Sequence, residues 1–275
     1  MAQAATIPVV PTRASASVFL PAFSLWWREI VRFYRQKSRV VGVIASPLLF
    51  WVVIGSGFGS SFRSETNSSQ HYLEYFFPGS LIMIVLFTSI FTMMSVIEDR
   101  NKGFLLSVLV SPVHRSAIVL GKVLGGATLS AVQGLLFLVF APAIGIHIGL
   151  TDWLLVILTV FLISFGLTAL GFAIAWPMDS PQAFHAIVNL FLIPLWLLSG
   201  ALFPVNGAVS GMRMLMRINP LTYGMDALRT ALFPATAAQS QLPLATSLAI
   251  EAAFCAAVFA WAYLAANRRS TKPAA

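Results

Sequence analysis

Six stretches of this chain are apolar for long enough to cross a bilayer, near 40 to 58, 75 to 97, 123 to 145, 153 to 176, 183 to 203 and 243 to 266. A crossing helix needs roughly 20 mostly apolar residues. Backbone polar groups in hydrocarbon must bond internally, so repeated runs of this length point to a bundle of helices. Within 275 residues, six crossings and their connections leave little room for a soluble catalytic domain. Only 9% of the residues are charged, against about 25% in an ordinary soluble domain. The expected fold class is an all-α integral membrane protein. Residues 1–39 form an amino-terminal segment, 40–266 the six-span body and 267–275 a basic tail.

The net charge of +8 would suggest nucleic acid in a soluble chain; here its distribution reads as orientation instead. Lys and Arg concentrate in cytoplasmic loops. Counting the amino segment, the 98–122 loop and the tail together, 13 of the 17 basic residues lie on one side, leaving Arg63, Arg213, Arg217 and Arg229 on the other. Both termini are therefore expected in the cytoplasm, with a bacterial inner membrane as the expected location. Pro8, Pro11 and Pro21 interrupt the first segment and no compact apolar core follows a basic start, so it does not read as a secretory signal.

Ahead of the first span, Phe19, Phe23, Trp26, Ile30 and Phe33 recur at helical spacing, with Arg28, Arg32, Arg35 and Arg39 about half a turn away. Such a helix is expected to lie in the membrane interface, rings toward acyl chains and guanidinium groups among headgroups. A helix packed on protein through the same aromatics is the other reading.

Catalytic side chains are sparse. A single cysteine, Cys255, rules out an intrachain disulfide. His71, His114, His147 and His185 are scattered, without the i, i+4 pairing of a zinc site. Glu98 and Asp99 are adjacent and project from different faces of a helix, which reads as a polar stop paired with Arg100 or Lys102. Inside the spans, Glu251 and Gln133 are the polar candidates. An embedded charge costs about 2.5–3.5 kcal/mol on insertion scales and so calls for a partner, a proton or a polar cavity; a structural hydrogen bond to a neighbouring helix is the plainer role. No nucleophile turn of the G-x-S-x-G type is present. The only Gly-Lys pair, Gly121-Lys122, is followed by Val123 and has Ser116 where a phosphate loop requires Gly. ATP, if it drives this chain, binds with its magnesium in a partner subunit.

The 98–122 loop shows how such a partner could engage. After Gly103 comes a seven-residue apolar stretch ending at Val110, too short to cross and costly to leave in water. A short helix there can insert Phe104, Leu105, Val108 and Leu109 into a groove on a soluble protein, with Pro112 ending it. Resting on lipid is the competing reading.

The segments GFLLSVLVSPVHRSAIVLGK at 103–122, SGALFP at 199–204 and NPLTYGMDALR at 219–229 resemble the membrane subunit of type-2 ABC transporters. The resemblance implies six spans after an amphipathic helix and no ATPase site in this chain. It also implies a coupling helix at Gly103 to Pro112 that receives motion from an ATP-binding subunit. Two ATP-binding subunits and a second permease, in a homodimer, are the implied partners besides membrane lipid, with no nucleic acid. Between spans five and six, over 204–242, it implies a re-entrant pair of short helices that cap the external mouth. Gly200 and Pro204 break the fifth span there, Asn219 and Pro220 supply turn chemistry, and Asp226 and Arg229 can pair on one face. The chain departs from the family at Leu106, where a polar residue is common, and at Gly211 and Met212, where proline and tryptophan are. The implied function is ATP-driven export of an apolar or amphipathic molecule such as a drug, lipid or glycolipid. The rival is an ion-gradient-driven transporter using Glu251.

Overall fold

A computed structural model describes residues 18–57, 72–111, 113–146, 148–205, 207–234 and 242–268. Every regular element among these residues is a helix: α1 Phe19–Arg35, α2 Lys37–Gly57, α3 Tyr72–Asn101, α4 Phe104–Val110, α5 Arg115–Phe137, α6 Leu150–Ala175, α7 Pro181–Trp196, α8 Ser210–Ile218, α9 Pro220–Leu232 and α10 Leu244–Asn267. A tight 3-10 turn, Leu138–Ile144, extends α5, and a π-helical turn, Leu197–Ala201, extends α7. Six of these helices, α2, α3, α5, α6, α7 and α10, are long and apolar enough to cross a membrane.

Their burial ranks them. The most apolar stretch of α3 is 83% buried, that of α10 only 22%. Thus α3 is the axis of the bundle, with α5 and α6 against it and α2, α7 and α10 outside. Small residues set these approaches, as expected where packing rather than water drives helix association. A Cβ on Gly126 would stand 2.6 Å from the Thr168 side chain, and one on Gly134 2.7 Å from Val85. Aromatic side chains fill the far end of the core, where Phe77 and Phe137 stack at 4.7 Å beneath Trp51.

The span boundaries expected from apolar length fall within a few residues of the observed ones, with one informative exception. The third span was expected from 123, yet α5 begins at Arg115 and Lys122 is buried. The cause is α1, which lies along the first turns of α5 and makes protein interior of what reads as loop. Gly121 and Gly125, four apart, form the seat. A Cβ at Gly121 would come within 2.6 Å of the Ala22 carbonyl oxygen, and one at Gly125 within 2.9 Å of the Glu29 side chain.

Candidate coupling face and buried polar sites

Two elements build the face around α4. Gly103 ends α3 in the left-handed conformation at φ 73°, a turn that costs glycine least. The short helix then runs to Val110, with Ser111 as its cap; Pro112 lies outside the described residues. Leu105 is buried against Leu25 of α1 and Ile118 of α5, with Phe104 and Val108 half-buried beside it. The Arg28 guanidinium carbon sits 3.7 Å above the Phe104 ring. Of the residues expected to face a partner, Phe104, Leu105 and Val108 pack on their own chain. The outward apolar residues are Leu106, Leu109 and Val110, exposed at 63%, 36% and 87%.

Directly behind α4 lies an ion cluster that the sequence reading missed. Arg28 donates to both oxygens of Asp99, at 2.8 and 2.7 Å, and Arg32 adds a bond of 2.9 Å to Asp99 and a second to Glu98. Lys122 donates to Asp99, to Glu29 at 2.6 Å and to the Ser95 hydroxyl at 3.1 Å. Asp99 and Lys122 are each 1% exposed and Glu29 2%. Three cations thus meet three carboxylates, which is what makes burial of so many charges tolerable. The hydrogen bond to Asp99 holds Arg28 above the ordinary arginine value.

Two expectations are corrected here. Asp99 pairs with α1 and α5, not with Arg100 or Lys102. Arg28 and Arg32 turn into the protein and not toward headgroups, because a bidentate bond to a buried carboxylate is stronger than hydrated contact with lipid phosphate. On the aromatic stripe, Phe33 is buried, Trp26 and Ile30 are half-buried, and Phe19 and Phe23 face outward. Arg35 is exposed; the side chain of Arg39 lies outside the description. Two further basic residues at this end, Arg100 and Arg115, have partners of their own. Arg100 donates to the carbonyls of Trp176 and Met178 beyond the end of α6. Arg115 does the same to Ala266 and Asn267 at the end of α10. A cation at a helix C-terminus satisfies orphan carbonyls and the dipole together.

At the other end, the break in α7 exposes backbone that the chain itself satisfies. Gly200 takes φ 86°. Its carbonyl accepts from Arg229 at 2.8 Å and from the Tyr75 hydroxyl at 3.1 Å. Asn219 caps α9 by accepting from the Leu221 amide, while its amide group donates to Leu195 O at 2.7 Å. Pro220 opens α9, and Pro204 sits in the link before α8. The apolar face of α9 is buried against α6 and α10. Asp226 and Arg229, expected to pair with each other, each bond to another group. Arg229 stacks on Tyr75, its guanidinium carbon 3.9 Å from the ring centroid, and Asp226 accepts from Ser247 of α10 at 3.0 Å.

In the middle of the spans, Gln133 accepts from Thr88 at 2.7 Å, a bond that ties α5 to α3, while its amide nitrogen has no partner among the described residues. Glu251 is 1% exposed, and neither carboxyl oxygen has a hydrogen-bond partner there. Its Oε2 faces the backbone of α9, 3.2 Å from where a Cβ on Gly224 would stand. The structural hydrogen bond expected of Glu251 is not made among the described residues.

Comparison with known proteins places this geometry. The chain is 27% identical over 209 residues to the transport permease ycf38 of Cyanophora paradoxa, an overlap of 75% of this chain and 72% of that one. It is 23% identical over 209 residues to the daunorubicin resistance ABC transporter permease DrrB1 of Streptomyces coeruleorubidus, covering 74% and 71%. It is 26% identical over 214 residues to nodulation protein J of Rhizobium meliloti, covering 75% and 79%. A family model described as ABC-2 type transporter matches residues 22–233, from the buried face of α1 to the end of α9, and the chain belongs to that family of membrane permeases.

Proposed function

We propose that this chain is the membrane subunit of an ATP-driven exporter whose two permease copies form the pathway and whose two ATP-binding subunits dock at α4. The observation that carries the reading is the arrangement of that helix. Its inner face is anchored to α1 and α5, while Leu106, Leu109 and Val110 project outward. Three apolar side chains on a rigid peg suit insertion into a groove on another protein. Push on the peg passes to α3 and α5 through Phe104, Arg28 and the ion cluster. Magnesium and ATP belong to the partner, since this chain carries no phosphate-loop sequence.

Family membership favours ATP over an ion gradient as the energy source. On this reading α4 and both termini face the cytoplasm of a bacterial inner membrane. Phe19, Leu20, Phe23 and Trp27 of α1, all exposed, meet lipid at that interface. The broken end of α7 with α8 and α9 caps the outer mouth as a re-entrant pair, consistent with irregular backbone that is satisfied by protein. Spans poor in charge suit an apolar or amphipathic cargo, the class that includes drugs, lipids and glycolipids.

The test is the Leu106→Asp, Leu109→Asp double variant, co-expressed with the ATP-binding subunit. Both positions are outward, so insertion and thermal stability should match the parent while co-purification of the ATP-binding subunit and transport are lost. Normal assembly and transport by this variant would remove the docking role.

A further inference from the structure

The seam between α9 and α10 holds three polar groups that take no part in docking or in the ion cluster. Glu251 of α10 is 1% exposed, and neither carboxyl oxygen has a hydrogen-bond partner among the described residues. Its Oε2 lies against Gly224 of α9, where a Cβ would stand 3.2 Å from that oxygen and 2.9 Å from Ile163 of α6. One turn nearer the start of α10, on the same face, Ser247 is fully buried and donates to Asp226 of α9 at 3.0 Å. Asp226 is half-buried. Asp226, Ser247 and Glu251 therefore follow one another into the span, and Glu251 lies about 10 Å along α10 from Leu244 at helical rise.

What packs around Glu251 decides what it can bind. A buried carboxylate needs a cation and donors, and the neighbouring helices bring neither. On α9 the charged residues are Asp226 and Arg229, and Arg229 is taken by the Gly200 carbonyl and the Tyr75 ring. The Tyr223 hydroxyl of α9 donates to Arg217 O. The one charged residue of α6, Asp152, sits in its first turn. Arg115 and Lys122 of α5 are bonded to the end of α10 and to the ion cluster. Glu251 is itself the only charged residue on α10, and the Cys255 thiol below it donates to Leu162 O at 3.1 Å. A hard metal cation takes about six oxygen ligands, whereas Gly224 and Ile163 crowd the space beside Oε2. A proton needs no further ligand.

We propose that Glu251 is a proton-binding site, a neutral carboxylic acid while α9 and α10 are packed together, loaded and emptied through Ser247 and Asp226. Parting of the two helices hydrates the group and releases one proton, and closing takes one up. Opening of the seam therefore grows as pH rises. The inference rests on the packing of this chain alone and is independent of the docking role assigned to α4. The experiment reconstitutes the full chain in phospholipid vesicles and records infrared spectra at neutral pH against Glu251→Gln, which keeps the shape and has no acid proton. The parent should show the carbonyl stretch of a protonated carboxyl that the variant lacks. That band should shift on transfer to deuterium oxide, and Ser247→Ala and Asp226→Asn should keep the band and slow the shift severalfold. Backbone hydrogen exchange in α9, corrected for its intrinsic pH dependence, should rise severalfold from neutral to alkaline pH in the parent and stay flat in Glu251→Gln. Carboxylate stretches in place of the acid band would mean that Glu251 is ionised in the packed seam and overturn the proposal. A shift equally fast in the parent and both relay variants would remove the route, and equal exchange of α9 in the parent and Glu251→Gln would remove the link to opening.

Discussion

Asp99 and Glu251 are both carboxylates, both about 1% exposed and both on helices long enough to span a membrane, yet their surroundings are opposite. Asp99 receives Arg28, Arg32 and Lys122. Glu251 has no hydrogen-bond partner among the described residues and faces a glycine. Burial alone therefore says little about what a charge does in this fold. At Asp99 the charge is a fastener joining α1, α3 and α5 behind the docking helix. At Glu251 the cost of desolvation stands uncompensated, so stability does not account for the residue.

The largest expected effect follows from breaking the fastener. Lys122→Met leaves Glu29 and Asp99 facing each other with one cation fewer, and removing one partner of a buried pair costs about 3–5 kcal/mol. The purified variant should unfold at clearly lower temperature than the parent, or fail to accumulate. Adding Glu29→Gln restores the charge balance and should recover a large part of the loss, a coupling that a double-mutant cycle reads directly. Independent, additive losses would show that the cluster is not a unit.

Arg229 extends the contrast to the opposite end. It is a cation held by the carbonyl of Gly200 and the Tyr75 ring instead of a carboxylate. Hydrogen bonds to charged groups contribute about 1.5–3 kcal/mol, so Arg229→Met should lower stability by less than Lys122→Met does. Limited proteolysis of the link between α7 and α8 should rise in parallel. An effect as large as that of Lys122 would mean that dipoles serve a buried cation as well as carboxylates do.

How far these sites can be read from sequence depends on the physics behind each. Crossing helices are a bulk property of apolar length, and all six are legible, five of them within a few residues and the third starting at Arg115 instead of near 123. Gly200, Asn219 and Pro220 are legible too, since break and cap chemistry is local. The cluster is not. Asp99 and Lys122 are 23 positions apart, and Glu29 joins them only because α1 lies on Gly121 and Gly125. A signal was present in that pair of small residues four apart with a lysine between them, on a chain otherwise poor in charge. The inward turn of Phe104 and Val108 was equally hidden, since a seven-residue apolar helix does not announce which stripe its own protein will cover.

A smaller effect calibrates the fastener. Trp26 donates to Thr128 across the same α1 and α5 contact, without charge. Trp26→Phe removes one neutral bond and should cost about 0.5–1.5 kcal/mol. If thermal unfolding shows a loss equal to that of Lys122→Met, packing of α1, and not ion pairing, holds this end together.

The smallest expected effect is the one that decides the contrast. Glu251→Gln keeps the shape of the side chain and removes its charge. Since no donor among the described residues bonds the carboxylate, the substitution forfeits no hydrogen bond there. The change should stay below the roughly 1 kcal/mol that one ordinary hydrogen bond contributes, whereas Asp99→Asn, which strips the anchor from three cations, should approach the Lys122→Met value. Thermal unfolding of the two variants side by side makes the comparison, and equal losses would erase the distinction between them. If Glu251→Gln is as stable as the parent and transport still falls in the assembled complex, the carboxylate is retained for movement of cargo or of α9 against α10. An ionisable group inside a membrane with no structural role is otherwise hard to account for.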